Sequence, residues 1–251
     1  MDKTIFLSVV IPCYNEEKNL KSGVLKEVGG FLKNKDYSWE VIIVDDGSED
    51  KSRAIIKKFL KANPRFTLIT NPHQGKGATV ITGILESKGK YVLFTDLDQA
   101  TPISEIDNFL PWFKKGFDLV IGSRKEKRKG APLFRLLMAR GFSMLRNLVL
   151  GLKGISDSQC GFKAFKNNVA RDLFKRLKVH GKGKKVQGAM VTAGFDIETL
   201  LLAQKRGYKV KEIPVQWQYV ETRRVNPLKD SWQGFLDLIQ IKINELKGVY
   251  D

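Results

Sequence analysis

Cysteine and histidine are scarce in this sequence, which holds two of each among its 251 residues. Cys13 and Cys160 are far apart, and neither belongs to a CxxC pair or to a Cys/His cluster. Such spacing disfavours both a zinc site and a disulfide framework. A reducing cytosol is therefore the simplest expected compartment.

Acidic residues are also few, since 27 Asp and Glu stand against 44 Lys and Arg, giving a net charge of +17. This charge favours anionic partners such as nucleotides, nucleic acid or an acidic membrane surface, without choosing among them. The amino terminus lacks the basic segment, long apolar core and small-residue cleavage site of a signal peptide. We therefore expect a protein that stays on the cytoplasmic side.

The first half of the sequence alternates short apolar runs with segments of helical spacing. Strands are predicted at Leu7–Ile11, Trp39–Val44, Phe66–Thr70, Tyr91–Thr95 and Phe117–Ile121. Asn15 is predicted to cap a helix running through Leu20 to Leu32, and Ser48 to open the next one. This alternation predicts a mostly parallel α/β sheet with helices on both faces, in which ligands bind at the carboxyl ends of the strands.

Two aspartates, Asp96 and Asp98, follow the predicted strand Tyr91–Thr95 directly. Carboxylate oxygens suit Mg²⁺ or Mn²⁺, and Mg²⁺ is typically held by one or two carboxylates plus substrate phosphates. The pattern alone also fits a polar loop after a buried strand. It gains weight because the other predicted strands end in polar motifs too, namely Pro12–Glu16, Asp45–Ser48, Asn71–Gly77 and Gly122–Arg124.

Each of these motifs has a structural explanation of its own, as a turn, a helix cap or a flexible loop. Together they predict one crevice in which an acid bonds a ribose or base while Lys76 and Arg124 neutralise phosphate. A P-loop hydrolase does not fit, since Lys76 is followed by Gly77. A haloacid-dehalogenase-type phosphatase does not fit either, because Ala100 stands where its motif needs Thr or Val.

Taken in order, these motifs resemble the inverting family 2 glycosyltransferases with the Rossmann-like GT-A fold. Later segments are similar to the branch that glycosylates dolichyl or polyprenyl phosphate, closest to the dolichyl-phosphate β-glucosyltransferases: Asp157–Lys163, Gly194–Glu198, Glu212–Trp217 and Arg224–Asp230. The resemblance implies a single domain over residues 1–251. A nucleotide-sugar half would span about 1–125, and an acceptor- and membrane-facing half about 126–251.

The resemblance also implies roles for individual residues. The nucleoside would be held by Pro12, Tyr14, Glu16, Val44 and Asp46. Mg²⁺ or Mn²⁺ would bind Asp96 and Asp98, with Leu97 at the donor between them. The donor diphosphate or the acceptor phosphate would be surrounded by Lys76, Arg124, Arg224 and Lys229. The acceptor phosphate would meet Arg124, Gln159 and Lys163.

Two departures from the related mannosyltransferases bear on this assignment. Those enzymes carry Gln two residues after the second metal aspartate, where this chain has Ala100 preceded by Gln99. A third protein ligand is therefore doubtful. The Arg and Lys near their carboxyl terminus are also six residues apart, whereas Arg224 and Lys229 are five apart. This difference favours the glucosyl branch or leaves the role of Lys229 open.

The predicted reaction is transfer of a hexose, glucose from UDP-glucose in the first instance, to a polyprenyl or dolichyl phosphate. A phosphate acceptor needs little help from a general base, whereas a sugar hydroxyl would need a carboxylate. Asp196 is the candidate base, with a helix cap as its alternative role, and Asp98 would act through the metal. The alternatives are GDP-mannose as donor, a saccharide hydroxyl as acceptor, and a nucleic-acid-binding protein, for which carboxylates at strand ends have no use.

Residues 136–152 form the most apolar long segment, but Arg140 and Arg146 interrupt it, and it is shorter than the roughly 20 residues of a spanning helix. On a helical wheel Ser143 and Arg146 share a polar arc opposite Met144 and others, which is typical of a helix in a membrane interface. A helix packed on the sheet with a charged outer face is the alternative.

Basic clusters at 124–130 and 175–185 favour peripheral binding to the cytoplasmic face of an anionic membrane. Any transmembrane anchor would then come from a partner subunit. Two further elements are predicted near the carboxyl terminus, a strand at Val215–Tyr219 and a helix through Phe235–Ile243.

Overall fold

A computed structural model of the chain describes residues 4–124, 133–179, 194–218 and 227–251, with the backbone alone described at 133–140 and 227–231. Seven strands within these residues form one sheet: β1 (Leu7–Cys13), β2 (Trp39–Asp45), β3 (Phe66–Thr70), β4 (Tyr91–Thr95), β5 (Leu119–Ser123), β6 (Phe162–Lys166) and β7 (Val210–Pro214). Their order is β3-β2-β1-β4-β6-β5-β7. Only β6 runs antiparallel to its neighbours β4 and β5. The predicted mostly parallel α/β sheet is confirmed.

Helices pack on both faces of the sheet: α1 (Glu17–Lys21), α2 (Val24–Lys33), α3 (Ser52–Leu60), α4 (Lys76–Glu86), α5 (Ile106–Lys114), α6 (Leu133–Leu150), α7 (Asn167–Arg176), α8 (Gly194–Lys205) and α9 (Pro227–Leu246). Successive strand side chains point to opposite faces. Val9 accordingly packs with α1, α2, α3 and α5, and Val10 with the layer formed by α4 and α6 to α9. The carboxyl ends of the parallel strands are left open between these layers.

The first helical segment differs from its prediction. It is divided at Gly23, whose φ of 95° no longer follows a right-handed helix. Asn15 is not a helix cap, because its side chain accepts a hydrogen bond from the Glu49 NH at 2.8 Å. The hydroxyl of Ser48 accepts in turn from the Asn15 NH at 2.9 Å, and α3 begins only at Ser52. Both predicted caps instead join the loops that follow β1 and β2.

The sheet differs from prediction in its second half. β5 lies two residues later than predicted, and β6 was not predicted at all. The strand predicted at Val215–Tyr219 was wrong over its described part, since regular pairing ends at Pro214. The next residues turn towards the loop after β4, where the Gln218 NH donates to the Ala100 carbonyl at 2.8 Å.

Helices α6 and α9 pack on each other with an unusual orientation of their side chains. Within the polar arc of α6, the Arg146 side chain points into the protein and is only 1% exposed. The opposite face of the helix is open to the surroundings at Met144 and at Leu148, which is 84% exposed. The large apolar side chains exposed in the described part of the chain all lie on these helices or just beyond α9: Met144, Leu148, Trp232, Leu236, Ile239, Ile243, Leu246 and Val249. No helix in the described ranges combines the length and apolar composition needed to cross a bilayer.

Candidate active site

The loops after β1, β2 and β3 meet at the predicted nucleoside pocket. Tyr14 stacks on His73, with ring centroids 4.1 Å apart and planes 10° from parallel. Asp46 is buried and accepts hydrogen bonds from the Gln74 NH at 2.9 Å and the Gly75 NH at 2.8 Å. His73 Nδ1 lies 2.8 Å from Asp46 Oδ2. An aromatic stack and a carboxylate of fixed orientation thus lie side by side.

The neighbouring residues of this pocket have different tasks. Asp45 is fully buried and bound by Arg53 Nη2 at 2.7 Å, so the first acid of the pair stabilises the loop. Val44 is also fully buried, and its side chain lies under Gly83 of α4. Glu16 accepts a hydrogen bond from the Asn19 amide at 2.6 Å. The nucleoside roles of Pro12, Tyr14, Glu16, Val44 and Asp46 remain predictions.

Asp96 and Asp98 lie at the carboxyl end of β4, facing the start of α4. Lys76, the first residue of α4, places its Nζ 2.5 Å from Asp96 Oδ1. Burial and the nearby Asp96 carboxylate raise the pKa of Asp98 to about 6, although the Ala100 NH donates to its Oδ1 at 3.0 Å. Burial lowers the pKa of Lys76, but Asp96, Asp196 and Asp98 outweigh it and raise that pKa overall. The cluster is electrostatically strained in a way that an added cation relieves.

The oxygen donors in this loop fit a divalent cation. Asp96 and Asp98 offer hard carboxylate ligands, and the buried Oε1 of Gln99 has no hydrogen-bond partner. No group of three or more His, Cys, Asp or Glu side chains in a metal-binding arrangement occurs among the described residues. Two carboxylates completed by substrate phosphates are a usual environment for Mg²⁺.

The backbone of Gly161 packs directly against the Asp96 carboxylate. A Cβ at this position would lie 2.0 Å from Asp96 Oδ2, so a larger residue would force the carboxylate or the loop to shift. The same loop is held by Lys163, whose Nζ donates to the Cys160 carbonyl at 2.6 Å. The orientation of a candidate metal ligand thus depends on a loop more than 60 residues further along the chain.

Asp196, the candidate base, forms a buried ion pair. Lys163 is fully buried and its Nζ lies 2.6 Å from Asp196 Oδ1. Burial raises the pKa of Asp196, against the opposing effect of Lys163 and Lys76. In this conformation Lys163 contacts Asp196 and Cys160, so its predicted contact with the acceptor phosphate would require rearrangement and remains a prediction.

Arg124, at the end of β5, is held by Asp157. Its Nε and Nη2 donate to Asp157 Oδ2 at 2.7 Å and Oδ1 at 2.8 Å. The Asp157 carboxylate beside it raises the pKa of Arg124, despite burial. Glu212 of β7 fixes this loop by accepting from the Asp157 NH at 2.7 Å, and the Gln159 NH donates to Asp157 Oδ1 at 3.3 Å. The guanidinium is thereby oriented, with Trp217 5.9 Å away.

Several residues at the crevice carried no role in the sequence prediction. His73 and Gly161 are the clearest, together with Asp157, which was part of a motif but had no assigned task. The signal for His73 was its position three residues before Lys76 in a chain with only two histidines. Leu97 is buried in the core beneath the aspartates. Arg224 lies outside the described residues, and the side chain of Lys229 does too.

Comparison with known proteins identifies the family. Residues 8–174 match the model of Glycosyl transferase family 2. The chain belongs to this family. It is a glycosyltransferase, and its seven-stranded sheet has the GT-A-like form that the sequence predicted.

Family 2 members with curated names align with nearly the whole chain. The dolichyl-phosphate β-glucosyltransferase of Saccharomyces cerevisiae is 34% identical, with 99% of this chain and 78% of that protein aligned. The human enzyme of the same name is 32% identical over 97% of this chain and 77% of its own length. That of Dictyostelium discoideum is 32% identical over 98% and 76%.

Solved structures of other transferases share the fold at lower identity. Mannosyl-3-phosphoglycerate synthase from Rubrobacter xylanophilus has a TM-score of 0.68 at 15% identity, covering 98% of this chain and 76% of that one. The Pyrobaculum calidifontis mannosyltransferase in complex with GDP-Man and Mn²⁺ has a TM-score of 0.61 at 19% identity, with 95% and 64% covered. Glucosyl-3-phosphoglycerate synthase from Mycobacterium tuberculosis, with Mn²⁺ and UDP, has a TM-score of 0.62 at 20% identity, with 94% and 80% covered.

Proposed function

We propose that this protein transfers glucose from UDP-glucose to dolichyl phosphate, or to a related polyprenyl phosphate, with inversion at the anomeric carbon. The observation that carries the proposal is the alignment of nearly the whole chain with dolichyl-phosphate β-glucosyltransferases at 32–34% identity. The cluster of Asp96, Asp98 and Lys76 supports it, because Lys76 supplies positive charge for a departing diphosphate and the two carboxylates could hold a metal ion beside it.

The reaction is a single displacement. A phosphate oxygen of the acceptor bonds to the anomeric carbon as the bond from that carbon to the β-phosphate oxygen breaks, and UDP leaves with the electron pair. Since the acceptor is already ionised, no proton has to be removed from it. The protein's task is therefore to align the two phosphates and stabilise the leaving group.

Lys76 and Arg124 would perform most of this stabilisation among the described residues. Arg124 is kept in one orientation by Asp157, so little conformational freedom is lost when a phosphate binds its remaining donors. Mg²⁺ or Mn²⁺ held by Asp96 and Asp98 would supply Lewis-acid assistance to the diphosphate. The Mn²⁺ bound by two of the solved relatives agrees with this choice of ion.

Asp196 has no necessary role as a base in this reaction. Its ion pair with Lys163 instead suits a structural role, in which it stabilises the region next to the loop of Asp96 and Asp98. The base role belongs to the second candidate function, transfer to a saccharide hydroxyl, which would require a proton acceptor.

The acceptor lipid would be met at the face formed by α6 and α9. Exposed apolar surface can mark an interaction site, and here the exposed large apolar side chains lie on or just beyond two contacting helices. The basic runs at 124–130 and 175–185 would add attraction to anionic lipids, about 1 kcal/mol per charge near the surface. We propose peripheral binding at the cytoplasmic face of a membrane, where a partner subunit would supply any transmembrane anchor.

The proposal is tested by transfer of radiolabelled sugar from UDP-glucose, and in parallel from GDP-mannose, to a short polyprenyl phosphate with Mg²⁺ or Mn²⁺. Wild type is compared with Asp98→Ala, and with Asp36→Ala as an exposed aspartate away from the crevice. Label in the lipid fraction from UDP-glucose, dependent on metal and on Asp98, is the expected result. Label from GDP-mannose alone would reassign the donor. No lipid label from either donor, while UDP still binds, would shift the assignment to a saccharide acceptor.

A further inference from the structure

Lys76 lies among carboxylates that a metal ion would also seek. Its Nζ is 2.5 Å from Asp96 Oδ1, within the range of a direct ion pair. Asp98 and Asp196 are the other carboxylates whose charge acts on this ammonium. Lys76 therefore occupies, in the protein alone, an oxygen that the proposed metal would bind.

The ammonium has a second destination within reach of its own helix. Lys76 is the first residue of α4, preceded by Gly75 with a φ of 88° and followed by Gly77. The unpaired backbone NH groups of a helix start attract phosphate, and glycines allow it to approach closely. The flexible four-carbon stem of lysine lets the charge move between partners, as the rigid fork of arginine would not.

We propose that Lys76 is an internal counter-cation, which holds Asp96 until the donor diphosphate arrives and then transfers to a phosphate oxygen as the metal takes its place. Metal and nucleotide binding thereby become interdependent. A metal ion that binds alone has to displace Lys76 from Asp96. A nucleotide that binds alone brings its negative diphosphate close to the negative carboxylates, with no metal ion between them. The inference rests on the proposed metal-dependent transfer, and it makes the binding of metal and of nucleotide at that site cooperative.

Direct measurement of Mn²⁺ binding tests the inference without any assay of transfer. Free Mn²⁺ is followed by electron paramagnetic resonance in wild type and Lys76→Met, with and without UDP. We expect Lys76→Met to bind Mn²⁺ alone about tenfold more tightly, since the competing ammonium is gone. The factor by which UDP tightens Mn²⁺ binding should fall by a similar amount, because with UDP bound the ammonium has already left Asp96 and its removal gains nothing further.

Three matched proteins separate the specific effect from others. Lys35→Met removes an ammonium that pairs with Asp107 at 2.6 Å away from the crevice, and should leave both affinities unchanged. Lys76→Arg keeps the charge, and should retain the weak binding of Mn²⁺ alone. Lys76→Gln provides a second neutral variant, and thermal melts confirm that each protein is folded.

A crystal structure with UDP and Mn²⁺ gives the second readout. We expect Lys76 Nζ within hydrogen-bond distance of a diphosphate oxygen and no longer on Asp96. Unchanged or weaker Mn²⁺ binding by Lys76→Met, or an intact Lys76–Asp96 pair in the complex, overturns the inference while leaving the proposed function standing. If wild type binds no Mn²⁺ even with UDP, both the inference and the metal part of the proposed function fail.

Discussion

The two halves of the molecule distribute charge and apolar side chains in opposite ways. Through residue 124 the large apolar side chains are inside, and charged groups such as Asp96 and Lys76 gather at the strand ends. Beyond residue 133 the cations Arg146 and Lys163 are buried, and the exposed large apolar side chains of the described chain are found there without exception.

Under the proposed function, this difference corresponds to two surroundings. The first half would face water, with a polar crevice for a soluble, charged donor. The second half uses buried charges to hold the loop at 155–161 against the crevice, and presents apolar surface outward. Arg146 illustrates both features. Its Nη2 donates to the Ile155 carbonyl at 2.6 Å, and the opposite face of its own helix, α6, is apolar and exposed.

The largest expected loss of activity comes from changing Gly161, where the second half contacts Asp96 of the first half. Gly161→Ala would place a Cβ on the Asp96 carboxylate, which must then move. A misplacement of about 1 Å at a reacting centre can cost on the order of 100-fold in rate, and we expect at least this loss in sugar transfer. Gly30→Ala, on an exposed helical site with free space, is the control and should stay within about twofold. Full activity of Gly161→Ala would show that Asp96 does not need its observed orientation.

The buried ion pair of the second half should dominate stability. Lys163→Met would leave Asp196 as an unpaired buried carboxylate, at a cost of about 3–5 kcal/mol in the free energy of unfolding. The double variant Lys163→Met/Asp196→Asn should recover a large part of that loss, since neither charge remains. Urea unfolding of wild type, the single variants Lys163→Met and Asp196→Asn, and the double variant measures the coupling. Purely additive effects would contradict a direct ion pair.

Asp98 should have the opposite effect on stability in the first half. Its folded pKa of about 6 lies above that of an unfolded aspartate, so the ionised group destabilises the metal-free protein once the pH passes both values. We expect Asp98→Asn to raise the free energy of unfolding by roughly 1–3 kcal/mol at pH 7.5 relative to wild type. The same variant should lose sugar transfer.

The pH dependence provides the control for this prediction. The gain should shrink as the pH falls through 6, and disappear below about 4, where the carboxyl is protonated in both states. Asp36→Asn, at an exposed position, should show no such trend. A gain that is constant from pH 7.5 to 4 would mean that the charge of Asp98 is not its source.

The smallest effect on stability is expected where the apolar face is most exposed. Leu148→Glu should change the free energy of unfolding by no more than about 0.5 kcal/mol, because the side chain is 84% exposed. Sedimentation with anionic vesicles should nevertheless fall about tenfold. Ala54→Glu adds the same charge to exposed α3 on the opposite layer and should bind vesicles as wild type does. Equal sedimentation of both variants would refute membrane docking through α6.

Sequence patterns predicted the first half well because β1, β2 and β4 are buried on both faces. β1 to β4 were located to within two residues, and the carboxyl ends of the strands then positioned the crevice. The failures arose where a polar side chain serves a distant partner. Asn15 and Ser48 are 33 residues apart in the sequence, and the Asn15 NH donates to the Ser48 hydroxyl. A cap prediction considers only partners within a few residues.

The second half was less predictable for a related reason. β6 contains Lys163 and Lys166 among five residues, so its composition does not resemble a central strand, yet Lys163 is fully buried by its pair with Asp196. Spacing placed Arg146 and Leu148 of α6 on opposite arcs, and the structure confirms that one is buried and the other exposed. The buried orientation of Arg146 depends on its hydrogen bond to the Ile155 carbonyl. Helical periodicity gives no information about such a partner.

One measurement links the crevice to the apolar face. Transfer from UDP-glucose is measured for wild type and for Leu148→Glu/Leu246→Glu, with the acceptor either as dolichyl phosphate in anionic vesicles or as a short, water-soluble isoprenyl phosphate. Our account predicts that wild type glucosylates both acceptors, while the variant keeps the soluble acceptor and loses at least about tenfold on vesicles. Equal rates of the two proteins on vesicles, or no lipid product from wild type with either acceptor, would contradict it.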